Sequence, residues 1–205
     1  MIKYEDRFSS SILLSKVLVP NTWNIDVHLI PNHSTGKNYN IALDRLEYYI
    51  NEVLDNSIII SPDDVGIFAS GVGFKGKIIV LPDEPYDHLL SIALYTKFNS
   101  ILEKVFFVES VSVTSYQGEG ITHTYDSESG DMETLINLIN DPDIQEYVDY
   151  WYKPDAQCFI MDDEGMELIT TKWHEVDLNF THNTTDSNVV KLNIKPRKDD
   201  DDNIA

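Results

Sequence analysis

The glycine-rich stretch at positions 71–77 is the part of the sequence that most resembles a nucleotide-binding motif. It reads Gly-Val-Gly-Phe-Lys-Gly-Lys, which satisfies the dinucleotide pattern G-x-G-x-x-G and nearly satisfies the phosphate-binding P-loop. Both motifs require the loop to open a helix, because the helix N-terminus holds the phosphates. The chain continues here as Ile-Ile-Val-Leu, which is typical of a strand, so we interpret the loop as a flexible hairpin. A ligand site at this loop would use Gly71, Gly73, Lys75, Gly76 and Lys77.

His123 is the residue outside this loop that could contribute to such a ligand site. It lies in Thr-His-Thr-Tyr-Asp, and a histidine with a nearby hydroxyl and carboxylate could act as a general base. No other potential catalytic residue lies at a sequence spacing that is typical of a catalytic motif. The pattern therefore favours a half-buried histidine of a sheet with a local hydrogen-bond partner. We therefore expect no enzyme, and we keep as an alternative a protein or enzyme that binds a nucleotide through His123 and the glycine loop.

Metal and cysteine chemistry have little support in the sequence. The six histidines are scattered and form none of the zinc-binding spacings. The acidic run Asp126–Asp131 departs from the calcium-loop pattern, because Gly130 falls at its fifth position and not at its sixth. The single cysteine, Cys158, lies in an apolar run of an acidic region, where a thiolate would be disfavoured. We expect no metal, no cofactor and no catalytic residue.

The negative charge is concentrated in one segment of the chain. The formal net charge is −20, and residues 119–177 contain 16 acids against two bases. A field of this sign repels nucleic acid phosphates and attracts basic surfaces. The sequence therefore predicts a basic protein partner and no direct binding of nucleic acid. The carboxylates expected to contact the partner are Glu128, Asp131, Glu133, Asp141, Asp143, Glu146, Asp149, Asp162, Asp163 and Glu164.

The charge distribution suggests a non-enzymatic acidic interaction module. Three arginines against 12 lysines, with abundant Asn and Ile, suggest an AT-rich coding sequence such as a bacteriophage carries. An inhibitor that mimics DNA and occupies the phosphate groove of a basic, nucleic-acid-binding protein would fit both features. Ordinary surface acidity stays open as an explanation, and so does a structural role in a virion or assembly. Self-association through an open sheet edge is possible in each case.

A repeated strand–helix–strand unit should position these residues. Ile41-Ala42-Leu43 and Ile92-Ala93-Leu94 each stand ten residues after a strand that ends in proline, at an offset of 51. Each triplet begins a helical apolar pattern. The order of elements predicts an α+β, ferredoxin-like fold, βαββαβ, in which two pseudo-repeats place both helices on one face of an antiparallel sheet. The strands expected in the repeats are 24–30, 57–60, 77–81 and 105–115, and the helices are 39–55 and 85–103.

The remaining segments yield coarser expectations. Residues 11–19 and 65–69 read as strands, and 121–126 as a strand after a turn. In the acidic part we expect one helix over 131–140, a second that Asp141 caps with Pro142 at its first position, and a hairpin of Ala156–Met161 and Met166–Thr171. The expected organisation is a core over 1–126, an acidic helical and hairpin extension over 127–180 packed on it, and a mostly disordered tail over 181–205.

The sequence also bears on the compartment. No apolar run approaches the ~18 residues of a membrane span, and the first residues lack the apolar stretch of a signal peptide. A single cysteine excludes an internal disulfide. We expect a cytoplasmic protein, in the host cytoplasm if the source is viral, without contact to a membrane.

Overall fold

One mixed sheet of eight strands organises the described part of the chain. The computed structural model describes residues 1–34, 39–69, 74–126, 128 and 137–178. The strands are β1 Ile2–Leu14, β2 Val17–Pro31, β3 Ser57–Ile60, β4 Gly76–Val80, β5 Phe106–Ser115, β6 Thr122–Asp126, β7 Ala156–Met161 and β8 Met166–Thr171. The helices are α1 Tyr39–Tyr48, which continues as a π-helical turn over Tyr49–Leu54, α2 Val65–Ala69 and α3 Asp87–Ile101, followed by a short helix Gln145–Val148. The order across the sheet is β6-β5-β2-β1-β3-β4-β7-β8.

The N-terminal hairpin forms the centre of this sheet. β1 and β2 pair antiparallel over their whole length, from Ile2 opposite Leu29 to Leu14 opposite Val17. Ser15 and Lys16 between them have φ of 49° and 68°, the left-handed conformation that a two-residue hairpin turn requires. The prediction of a single strand over residues 11–19 is wrong, because this turn divides the segment.

One half of the sheet grows outward from β1. β3 pairs with β1 in parallel and β4 pairs with β3 in parallel. Two parallel neighbours need a crossover connection, and here it contains a 3₁₀ turn, Pro62–Asp64, and α2. The strand predicted over residues 65–69 is therefore a helix. β7 and β8 extend this half antiparallel, while β5 and β6 extend the other half from β2.

The ferredoxin-like prediction is wrong because the two units differ in strand direction. β2 and β3, on either side of α1, run in opposite directions, whereas β4 and β5, on either side of α3, run in the same direction. Two copies of a split βαβ unit would each hold parallel strands. In addition, the described sheet has eight strands in a mixed arrangement, where the expected fold has four antiparallel strands. The repeat in the sequence is thus a repeat of helical patterns and not of architecture.

The acidic segment also differs from the expected pair of helices. Residues 131–136 lie outside the described part of the chain, and 137–139 are helical. The helix after Asp141 does not begin at Pro142 but at Gln145, and it is one turn long, followed by a 3₁₀ turn over Asp149–Tyr152. β7 and β8, which the extension supplies, belong to the same sheet as the rest of the chain.

The main core lies between one face of the sheet and the two long helices. Along β2, Trp23, Ile25, Val27 and Leu29 alternate toward this core and are buried. α3 packs against β5, β6 and α1. Burial of such apolar area is the main driving force of folding, at about 25 cal/mol per Å². The described helices are all too short or too polar to cross a lipid bilayer.

Candidate functional site

Most of the predicted partner-binding carboxylates are at the surface. Asp131 and Glu133 lie outside the described residues. Asp149 is half-buried. The other seven are exposed: Glu128, Asp141, Asp143, Glu146, Asp162, Asp163 and Glu164. Within residues 137–178 the chain holds 11 acids and two bases, so this part of the surface is strongly negative.

Two groups of these carboxylates flank the hairpin of β7 and β8. The loop carboxylates, Asp162–Glu164, connect the two strands beside Gly76 at the beginning of β4. The helix carboxylates, Asp141, Asp143, Glu146 and Asp149, lie in the segment that leads to β7 at its other end. Because β7 has six residues, roughly 17 Å of strand separates the two groups. Glu128 follows β6, at the opposite edge of the sheet, so the structure does not bring it together with them.

Two of the loop carboxylates, Asp162 and Asp163, have different structural roles. The Oδ1 atom of Asp162 accepts hydrogen bonds from the backbone N–H of Glu164 at 2.7 Å and of Gly165 at 3.2 Å. Asp163 forms an ion pair with Lys75, and both side chains are exposed. Gly165 has φ of 130°, a conformation that favours glycine. Asp162 therefore shapes the turn, and Asp163 ties it to the end of the glycine loop.

The helix carboxylates stabilise a turn before the short helix. The Oδ1 atom of Asp141 accepts a hydrogen bond from the backbone N–H of Asp143 at 3.0 Å. The carbonyl of Asp141 accepts from the N–H of Gln145 at 2.9 Å. Asp149 forms an ion pair with Lys153, four residues later. This partly exposed pair contributes at most about 1 kcal/mol, so it orients the chain more than it holds it.

Two aromatic side chains attach this acidic segment to the end of β4. The hydroxyl of Tyr150 accepts a hydrogen bond from the N–H of Val80 at 3.0 Å and donates to its carbonyl at 2.9 Å. The indole Nε1 of Trp151 donates to the same carbonyl at 2.8 Å. Both rings are fully buried, so the attachment combines apolar burial with satisfied polar groups.

Lys97 of α3 provides a second attachment from inside the core. Its Nζ donates hydrogen bonds to the carbonyls of Tyr150 at 2.9 Å, Lys153 at 2.9 Å and Asp155 at 2.7 Å. The same atom lies 5.3 Å from the ring centroid of Tyr49. The residue is 0% exposed. Three carbonyls match the three donors of an ammonium group, so this cluster fixes the backbone that precedes β7.

Burial changes the ionisation of this lysine. Removal from water lowers the pKa of Lys97 to about 7, while the negative charge of Asp155 raises it in part. Lys97 is not among the candidate residues predicted from the sequence, although it lies on the apolar stripe of Leu90, Ala93, Leu94 and Ile101. A lysine at such a position is the signal that could have identified it.

The residues of the alternative ligand site lie apart from one another. Gly71 and Gly73 are outside the described residues. Gly76 begins β4, and Nζ of Lys77 donates to the carbonyls of Glu52, at 2.8 Å, and Asp55, at the end of the π-helical turn. His123 is on β6, where its ring centroid lies 6.3 Å from that of His88. Four strands separate β6 from β4, which is roughly 24 Å.

Cys158 lies in the core, and the possible metal ligands among the described residues are dispersed. Cys158 is buried, and burial raises the pKa of its thiol, which disfavours the reactive thiolate. Within residues 1–34, 39–69, 74–126, 128 and 137–178, no three side chains of His, Cys, Asp or Glu form a group that could hold a metal ion.

The sheet face opposite the helices is polar over β6, β5, β2 and β1. Hydroxyl groups pair across it, as in Ser112 with Thr124 at 2.8 Å and Thr114 with Thr122 at 2.7 Å. A cleft of about 810 Å³ is lined by His28, Ser110 and Asp126 of these strands and also by Tyr95 and Asn99 of α3. The Oγ of Ser110 lies 3.1 Å from Nδ1 of His28, but β5 stands between β2 and β6. Ser110 therefore lies between His28 and Asp126. In a hydrolytic triad the histidine lies between the serine and the acid, so these three residues do not form one.

Comparisons with known proteins give little further information. No protein-family model and no curated protein match this chain. An uncharacterized protein from Wolinella succinogenes has a partly similar structure, with 16% identity over 62% of this chain and 97% of that one, at a TM-score of 0.46. A catalytic-residue mutant of 6-pyruvoyltetrahydropterin synthase from Plasmodium vivax has 9% identity over 60% of this chain and 94% of that one, at 0.37. Neither likeness bears on what this chain binds.

Proposed function

We propose that this protein is a non-enzymatic interaction module that binds a basic protein through the carboxylates of residues 137–178. The supporting observation is the exposure of these carboxylates on a segment that holds 11 acids and two bases. Charged groups at an interface steer encounter and select partners of opposite sign. The same charge opposes the approach of nucleic acid, since phosphates are repelled.

The attachment of the acidic segment supports a role in binding. Tyr150, Trp151 and Lys97 hold its backbone to β4 and α3 through buried hydrogen bonds. A surface that is already ordered loses less conformational entropy when a partner binds. Carboxylates on an ordered backbone present negative charge to a basic surface, as the phosphates of a nucleic acid do, so the partner class that we propose is a basic, nucleic-acid-binding protein.

The test compares two variants with equal changes in charge. One carries Asp141→Asn, Asp143→Asn and Glu146→Gln among the helix carboxylates. The control carries Asp63→Asn, Glu109→Gln and Glu119→Gln, which are exposed outside this segment. Proteins captured from lysate of the producing cells are then measured at 50 and 300 mM salt. We expect the first variant to bind the captured basic protein about tenfold more weakly than the control at low salt, and the higher salt to weaken wild-type binding sharply.

A competition experiment tests the resemblance to DNA. The captured protein is bound to labelled duplex DNA, and the acidic chain is added. We expect the wild type to displace the DNA at concentrations at which the variant with Asp141→Asn does not. Capture of salt-insensitive partners alone, of no partner, or an equal loss of binding in both triple variants would contradict the proposal.

A further inference from the structure

β8 is an outer strand of the sheet with an open edge. It stands last in the strand order, and within the described part of the chain no strand pairs with its outer side. The backbone N–H of Asp162 donates to the carbonyl of Gly165 at 3.0 Å. Because hydrogen-bonded and non-hydrogen-bonded residue pairs alternate along an antiparallel hairpin, this bond determines which residues of β8 bond to β7. Glu167, Ile169 and Thr171 therefore direct their backbone groups toward β7, and Met166, Leu168 and Thr170 direct theirs outward.

This edge carries few of the features that protect edge strands. Its pairing with β7 runs without a register shift from Ala156 opposite Thr171 to Met161 opposite Met166. Its six residues include no proline and no lysine, both of which commonly block strand addition. The side chain of Ile169 is 38% exposed. A flat edge of this kind offers backbone donors, backbone acceptors and apolar contact to an added strand.

The charge around the edge selects the strand that can be added. Glu167 lies within β8, and the loop carboxylates Asp162–Glu164 lie just before the N-terminal end of β8. Pairing of β8 with β8 of a second copy would bring two such acidic edges together, and like charges across a sheet destabilise it. An extended segment with lysine or arginine opposite Glu167 and apolar residues opposite Leu168 and Ile169 would match both the negative charge and the apolar side chains of this edge.

We propose that β8 accepts an extended basic segment of the partner as a ninth strand. This inference rests on the proposed function, because it names the place and the mode of binding. Backbone hydrogen bonds supply the affinity, and the carboxylates supply the preference for a basic sequence. The carboxylates that flank both ends of the hairpin then contact residues before and after the added strand.

The probe is a labelled eight-residue peptide, Lys-Val-Val-Lys-Val-Val-Lys-Val, which can place a lysine opposite Glu167 and valines opposite Leu168 and Ile169. A matched peptide carries N-methyl groups on alternate residues, which remove backbone donors and leave the charge unchanged. On the protein side, Thr170→Pro removes an outward N–H, and Thr170→Ala is its control. Both lose the hydroxyl that accepts a hydrogen bond from Gln157 at 2.7 Å. An edge position tolerates proline, and circular dichroism and thermal melting verify folding.

We expect N-methylation and Thr170→Pro each to weaken binding at least about tenfold at 50 mM salt, and Thr170→Ala to stay within about twofold of the wild type. Glu167→Gln should weaken binding about threefold. Equal binding of both peptides, or no binding of either, would overturn the inference. The capture experiment decides the proposed function separately, because the helix-carboxylate variant leaves β8 unchanged. A concentration-dependent dimer that Thr170→Pro abolishes and Thr170→Ala retains would assign the edge to a second copy and would also overturn it.

Discussion

At the scale of single residues, Lys97 has the largest structural role of the basic side chains described above. It joins α3 to three carbonyls of the chain that precedes β7. One of them, the carbonyl of Tyr150, also accepts a hydrogen bond from the N–H of Lys153 at 3.1 Å. An unpaired buried carbonyl costs about 1–3 kcal/mol. The lysine is retained in an apolar helix because the acceptors around it require a donor there.

The pKa of Lys97 predicts a pH-dependent stability. Because burial lowers this pKa to about 7 from 10.5, the folded protein loses a proton between these values while the unfolded chain keeps it. The unfolded state binds more protons in that window, so the free energy of unfolding rises with pH, by at most about 1.4 kcal/mol per unit. Urea denaturation of the wild type and Lys97→Met at pH 6.5, 8 and 9.5 should show this rise only in the wild type. Parallel curves would contradict it.

At the scale of elements, the turn between β1 and β2 is held in a costly conformation. Ser15 and Lys16 both have positive φ, which costs about 1–2 kcal/mol for a residue other than glycine. We expect Lys16→Gly to raise the free energy of unfolding by about 0.5–1 kcal/mol, and Lys16→Val to lower it. Thermal denaturation of both variants measures the difference. Equal midpoints would show that the turn relaxes.

Several elements were predictable because their signals are local. The helical spacing from Ala42 to Val53 gave α1, and the turn at Asp162–Gly165 gave the β7–β8 hairpin. α2 was missed because Val65-Gly66-Ile67-Phe68-Ala69 has the composition of a strand. The preceding Ser61-Pro62-Asp63-Asp64 has the composition of a turn, yet it also supplies a proline and two acids to a helical first turn.

The strand order could not be derived from the repeat. The strand order depends on β1, and the hydrophobic alternation in the first residues of β1 is too weak to predict a strand. Lys3, Glu5 and Arg7 face solvent on one side, and the opposite side also carries a charged residue, Asp6. The exposed carboxylates of the candidate site were readable directly from the sequence. Their anchors were not, because Tyr150 contacts Val80 across 70 residues and Lys97 reaches Tyr150 across 53.

At the scale of the whole molecule, the charge should limit stability at low ionic strength. A net charge of −20 on 205 residues causes self-repulsion in the compact state, and salt screens it within about 10 Å at 0.1 M. We expect the melting temperature to rise by a few degrees between 20 and 300 mM NaCl, which corresponds to about 1 kcal/mol. Differential scanning calorimetry measures this rise. The triple variant with Asp141→Asn should show a smaller rise, and a fall in the wild type would contradict the explanation.

The order of strands across the sheet has a consequence for synthesis. Every strand after the first hairpin joins an outer side of what already exists: β3 beside β1, β4 beside β3, β5 beside β2, β6 beside β5, and finally β7 and β8. Among the strands of the described residues, none has to be inserted between two strands that precede it in the sequence. During synthesis, each new strand can therefore pair with the exposed edge of a strand that has already formed. No strand pairs that formed earlier need to separate.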